Sequence, residues 1–541
     1  MRRQLVQFFL LAFIPAAAFL CAFNPAILDP GNVGWLLQGT DLGENALGMQ
    51  AYLHDPTAGW ATSTQLLNHP DGTTLLFTDS NPLLGLLLKP FAAMLPSNLQ
   101  IVGPWLLFCC MMQALFAWAI LRPHAPGFLA LWCGVALCCA LPTWFNRFPH
   151  SNLFAHFLIL WALWVFIEPL RANKNRWWLP PLVLSALIHS YFLIMVAAIW
   201  GSAGMAQFLT VRGSGALAIR LRMILSSLGI LAMLGGIALW QGAGEAFVST
   251  GSYGAFAMPI DALWNPANSG YGHLMPAIAQ REGRGFEGYQ YLGLGILLLL
   301  GTAALAWRTQ SVPVTQATGL GRLRWLLPAF VVLTLLAISS FPDISGTPLP
   351  RLALPDAAIN ALDLVRASGR LFWPVAYTMV VAAILCVYRL GAAQSARLLA
   401  VLLAIQLVDL RTMLAVVRKQ SAAASDPVRY RRTVDLRWEQ MIKSARDVSF
   451  VPADATLDLA LFQEVAWRAV SIQRPVRLAY TARTSLRTQA RLLREEADFA
   501  AGRLAPDRLY VLLPSAAVPS TAAARLVTLD GVRVIAPVKQ R

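Results

Sequence analysis

Two runs within residues 29–100 decide the reading of this chain: GTDLGENALG at 39–48 and FTDSNPLLGLLLKPF at 77–91. The segment holds six acidic residues, Asp29, Asp41, Glu44, Asp55, Asp71 and Asp79, against one basic residue, Lys89. It follows a single apolar run in a chain whose formal net charge is +16. A carboxylate-rich loop in that position reads as a polar centre held in place by membrane helices, with Asp41 and Asp79 as its candidate catalytic residues. Carboxylates converging from opposite ends of one loop can deprotonate an acceptor or hold a divalent cation. Asp55 and Asp71 sit in sequences that read as ordinary turns.

The rest of the chain supplies those helices. At 541 residues, 57% hydrophobic and 13% charged, it carries too much apolar surface for a soluble protein. Spans are expected at 5–28, 99–121, 127–145, 153–168, 178–188, 191–209, 223–240, 291–307, 325–341, 371–388 and 398–416, about eleven crossings. The fifth is interrupted at His189-Ser190, and 82–95 is apolar but too short to cross, so it reads as an interfacial segment. Strand-type alternation does not recur, which argues against a β-barrel. The N-terminal run lacks a small-x-small cleavage site and reads as a retained span. The seven cysteines fall in apolar spans without metal-site spacing and read as buried thiols.

Basic residues orient the chain, because cytoplasmic loops retain Lys and Arg. With the N-terminus inside, the bias runs about two to one toward the inner loops. The loop 29–98, residues 146–152, the corner 189–191, and the segments 242–290 and 342–370 then share the outer face with the tail. The tail carries 21 Lys/Arg against 12 Asp/Glu, a balance suited to anionic headgroups or a phosphate-bearing ligand and, on the outer side, not to nucleic acid. The expected architecture is an α-helical polytopic membrane domain, 1–416, followed by a small extracytoplasmic α/β domain, 417–541.

Other candidates lie on the same face. His150 and His189 stand beside membrane edges, where an imidazole binds phosphate, moves a proton or ligates a metal; Tyr191 shares the second corner. The Gly-rich segment 281–289, with Arg284, reads as a loop that folds over a polar ligand. Arg366 and Arg370 precede a span and present guanidinium groups to a membrane-anchored phosphate. Asp409 is the one clear acid deep in a span. No GxSxG, HExxH or P-loop occurs, and Gly293-Leu294-Gly295 reads as packing within a span.

With these residues in view, the chain resembles the GT-C superfamily of multispanning glycosyltransferases. More closely, GTDLGENALG, FTDSNPLLGLLLKPF, FNRFPHSNLFAHF at 145–157, GRGFEGYQYLGLG at 283–295, LVRASGRLFWP at 364–374 and LDGVRVIAP at 529–537 look like blocks of an uncharacterised bacterial membrane domain family related to those enzymes. The resemblance implies a bacterial inner-membrane enzyme of the cell envelope that moves a hexosyl or pentosyl unit from a polyprenyl-phosphate lipid to a saccharide, lipid or protein acceptor. It makes Asp41 the base or metal-orienting acid, Asp79 its partner, and Arg366 and Arg370 donor-phosphate ligands. A divalent cation, Mg or Mn, is compatible with the site, although no adjacent Asp-Asp or Asp-x-Asp pair follows the first span. The rival readings are a non-catalytic partner in polysaccharide assembly and a lipid or saccharide transporter.

Overall fold

The computed structural model describes residues 2–59, 61–247, 252–309, 320–481 and 483–538, and these are mostly helical. Residues 248–251 of the expected outer segment and 310–319 of the expected inner loop lie outside the described residues. Among the described residues, six helices are long and apolar enough to cross a membrane: Val102–Leu121, Ser190–Thr210, Ala216–Trp240, Gly321–Ile338, Ser368–Tyr388 and Ala392–Gln420. They mark the chain as a membrane protein. Ala216–Trp240 leaves Leu217, Leu225, Leu228 and Leu231 exposed, a surface suited to hydrocarbon and not to water.

The remaining expected crossings are shorter apolar helices, among them Phe9–Ala22, Phe128–Cys138 and Leu294–Trp307. Two of the breaks have a visible backbone cause. The run expected at 127–145 stops at Cys138, because Pro142 has no N–H to donate and holds Leu141 extended at ψ 126°. Asn175–Ile188 contains Pro180 and Pro181 and ends at His189, whose extended backbone (φ −165°) closes that helix and opens Ser190–Thr210. Both breaks fall beside the polar centre, where buried irregular backbone is tolerated because protein surrounds it.

The acidic loop is itself folded. Asp41–His54 is a helix with acidic residues in its first turn, where they complement the positive end of the helix dipole. The Lys89 ammonium donates to the carbonyls of Tyr52, Leu53 and Asp55 at the other end. Every residue from Leu42 to Leu53 is buried, so the polar side chains of this helix must find partners inside the protein. The segment Pro82–Met94 follows, with Leu87, Phe91 and Met94 projecting as exposed apolar groups.

After Ala392–Gln420 the chain builds a small four-stranded sheet in the order Asp447–Val451, Arg508–Leu512, Val532–Ile535, Leu526–Leu529. The first two strands are parallel and the rest antiparallel. The parallel pair is joined through the helices Leu459–Ser471 and Leu486–Ala500, as a parallel connection requires. This unit is docked on the acidic loop. The Val476 and His69 amides exchange backbone hydrogen bonds with Leu66 and Val476 carbonyls, and Gln463 bridges Gly39 and Thr40 at the start of the Asp41 helix. Asp71, expected to be an ordinary turn residue, is ion-paired to Arg487 and Arg491 of the C-terminal unit. Asp55 is a turn residue, accepting from Thr57, Thr64 and the Gln65 amide.

Candidate functional site

Asp41 is the first residue of its helix, and its carboxylate accepts a 3.3 Å hydrogen bond from the Tyr480 hydroxyl of the C-terminal unit. Asp79 reaches the same place from the far end of the loop. Its backbone is left-handed (φ 50°), and that conformation is held from both sides: its carbonyl accepts from Asn45 and, at 2.7 Å, from Asn152. The cap of the following helix is Asn81, which accepts from the Leu84 amide, so Asp79 is not spent on capping. Gly48 makes the approach possible, since a β-carbon there would overlap the hydroxyls of Thr78 and Ser80.

His150 stands between the aspartates. Its Nδ1 is 3.4 Å from Asp79, and its Nε2 lies 3.2 Å from Glu287 and 3.7 Å from Asp41. Burial alone would depress this imidazole, but Asp79 and Glu287 overcome it and push it up to about 9, so it is an imidazolium at neutral pH. Asp79 is driven the opposite way: burial raises it, and the His150 contact with the nearby Arg370 charge brings it below the usual carboxylate range. His189 lies 3.7 Å from Asp79 through Nε2, while its Nδ1 accepts the Tyr191 amide. Burial dominates there, with Arg370 and His150 adding to it, and lowers His189 to about 4. A neutral imidazole whose Nδ1 accepts must carry its proton on Nε2, facing Asp79.

Glu287 is the counter-ion at the back of the site. Arg370 grips it with two hydrogen bonds of 2.8 and 2.7 Å, and Arg147 adds a third at 2.6 Å. Burial raises this carboxyl, but Arg370, Arg147 and His150 together hold it well below its ordinary value. The Arg370 guanidinium also lies 4.9 Å over the Tyr191 ring, whose hydroxyl accepts the Ala367 amide. Gly369 and Gly288 let the two loops touch: a β-carbon on Gly369 would meet the Gly288 Cα at 2.7 Å.

Glu44, one helical turn from Asp41, completes the acidic side. Burial first, then Asp79 and Asp41, raise it well above the normal range, against the lowering influence of Arg366. Among the described residues no group of three or more His, Cys, Asp or Glu side chains has metal-holding geometry.

The family described as "Domain of unknown function (DUF6311)" matches residues 12–411, three quarters of the chain and all of these site residues except Tyr480. The chain belongs to the DUF6311 family. The DUF6311 C-terminal domain matches residues 437–537 and supplies Tyr480. No curated protein matches the chain.

Of the sequence-named candidates, this DUF6311 chain brings Asp41, Asp79, His150, His189, Tyr191 and Arg370 to one place. Arg366 lies close enough to act on Glu44 and Tyr480. Arg284 does not join them: it is buried in a 2.5 Å ion pair with Asp343 and donates to the carbonyls of Gly254 and Phe341, holding loops together. Arg370 is engaged by Glu287. Arg147, Glu287 and Tyr480 carry no separate signal; the first two sit in quoted blocks of DUF6311-like sequence, but nothing in a lone sequence pairs positions 140 residues apart. Asp409 takes hydrogen bonds from the amides of His273, Leu274 and Leu294 and from the Tyr291 hydroxyl. Each carboxylate oxygen is thus occupied in joining loops to a helix.

Proposed function

We propose that this site catalyses glycosyl transfer from a polyprenyl-phosphate-type lipid donor to an acceptor at the outer face of the bacterial cytoplasmic membrane. The observation that carries the reading is the convergence of Asp41 and Asp79 on the charged His150. Asp41 is the more open of the two, with 32% of its side chain exposed against 15% for Asp79, and it takes the role of base. The acceptor O–H attacks the anomeric carbon, its proton passes to Asp41, and the bond from that carbon to the donor phosphate oxygen breaks. The leaving group is the polyprenyl phosphate, with inversion at the anomeric carbon.

The cationic part is divided differently from the sequence expectation. The His150 imidazolium and Arg366, which lies close enough to Arg483 of the C-terminal unit to act on it, are the groups that meet the developing phosphate charge. Arg370 and Arg147 act through Glu287, which orients His150. Neutral His189 donates toward Asp79. One positioned base contributes about 10²–10⁴-fold, and charge stabilisation of the leaving group a comparable factor.

The reading is tested in proteoliposomes supplied with a panel of polyprenyl-phosphate sugars and acceptors. Wild-type protein is expected to release polyprenyl phosphate from at least one donor, and Asp41→Asn to release none while inserting normally. Equal release by both proteins would refute the assignment.

A further inference from the structure

We propose that the ligand of this site carries a protonated amine, seated against Glu44, Asp41 and Asp79, on a phosphate-linked headgroup whose phosphate faces Arg366. For the phosphate this rests on the reading above; the amine has its own evidence.

That evidence is a set of buried acceptors with no donor. Glu44 is 7% exposed, and its Oε1 is buried without a hydrogen bond. Asn152 Oδ1 is in the same condition, whereas Asp79 Oδ2 meets the His150 imidazolium at 3.4 Å. Further along the helix, Asn45 donates to the Asp79 carbonyl, and Gln50 donates to the Ser97 carbonyl and the Ser471 hydroxyl while its own Oε1 is unpaired. Buried polar atoms are normally paired, so the unpaired ones gathered beside Asp41 mark where a donor-rich ligand belongs. Glu287 adds no demand, since Arg147, Arg370 and His150 already occupy it.

An ammonium satisfies this set better than hydroxyls do. It brings three donors from one atom, and it adds positive charge beside three carboxyl groups of which Asp41 and Asp79 share the one His150 imidazolium. The groups facing Glu44 are Asp41, on its own helix, with Asp79 and Arg366 from the packed loops. Burial and the two aspartates raise Glu44 well above the ordinary carboxylate range, and an ammonium beside it favours the ionised form. Binding therefore releases a proton to solvent, which a neutral sugar does not cause.

The test is calorimetric titration of the detergent-purified full chain with glucosamine 1-phosphate, glucose 1-phosphate and phosphoethanolamine, at pH 7 in two buffers of different ionisation enthalpy. An amine probe is expected to bind at least about tenfold more tightly than glucose 1-phosphate and to release about one proton. Glu44→Gln keeps the shape of the protonated side chain, so it should bring amine probes down to the affinity of glucose 1-phosphate and remove the proton release. Glucosamine 1-phosphate as the tighter amine assigns a saccharide source; phosphoethanolamine as the tighter one keeps the amine and assigns a lipid headgroup, against the glycosyl reading. Equal binding of the two sugar phosphates without proton release overturns the amine and leaves the glycosyl reading standing. Binding of no probe overturns both.

Discussion

The Nδ1 of His150 lies 3.4 Å from the Oδ2 of Asp79, and this contact joins the first polar loop to the broken-helix segment that follows the third expected span. Because His150 rises to about 9 in the folded protein, above the ~6.5 of a free imidazole, it is charged in both states below pH 6.5. Its contribution is fully present there and is lost as pH rises through 9. Thermal stability should therefore fall between about pH 6.5 and 9, by an amount on the order of 3 kcal/mol at most. His150→Gln should be less stable at pH 6 and show a flatter profile across that window. Melting curves of both proteins at half-unit pH steps check this, and parallel profiles would show that the imidazole is not charged by its carboxylate partners.

Gly48 sets where Asp79 sits. Gly48→Ala must push the Thr78-Asp79-Ser80 turn off the helix, because the added methyl overlaps two hydroxyls. Overpacking of this kind costs about 1–3 kcal/mol, while the displaced carboxylate should lower transfer by about 10²-fold, since small misplacements at a reacting centre have effects of that size. Turnover measured beside melting temperature checks the pair; a stability loss with unchanged transfer would mean that the position of Asp79 does not matter to the chemistry.

Arg370 is the main grip on Glu287. Arg370→Ala leaves that carboxylate buried with part of its charge uncompensated, a change expected to cost about 3–5 kcal/mol. The double variant with Glu287→Ala should be less destabilised than the sum of the two single variants, because the interaction they share is lost only once. A double-mutant cycle in denaturant or heat measures the coupling, and strict additivity would contradict the pairing.

The membrane class was legible because it rests on composition and long apolar runs, which need no tertiary knowledge. Asp41 and Asp79 were legible for a related reason: carboxylates are conspicuous in a basic chain. The span count was less so, because hydropathy at 127–145 continues through Pro142 while the helix stops at Cys138. Arginines divided by context invisible in the sequence. Arg284 and Arg370 sit in similar glycine-bearing loops, yet one meets Asp343 and the other Glu287. Tyr480 was out of reach, because its contact with Asp41 spans 439 residues and follows only from the docking of the C-terminal unit.

The most direct measurement is the cellular pool of lipid-linked sugars, read by mass spectrometry of extracted membranes in cells whose only copy of the protein is Asp41→Asn. If Asp41 takes the acceptor proton, one polyprenyl-phosphate sugar accumulates relative to wild-type cells, and restoring Asp41 clears it. An unchanged pool, with the variant present in the membrane at normal level, would contradict the proposed reaction.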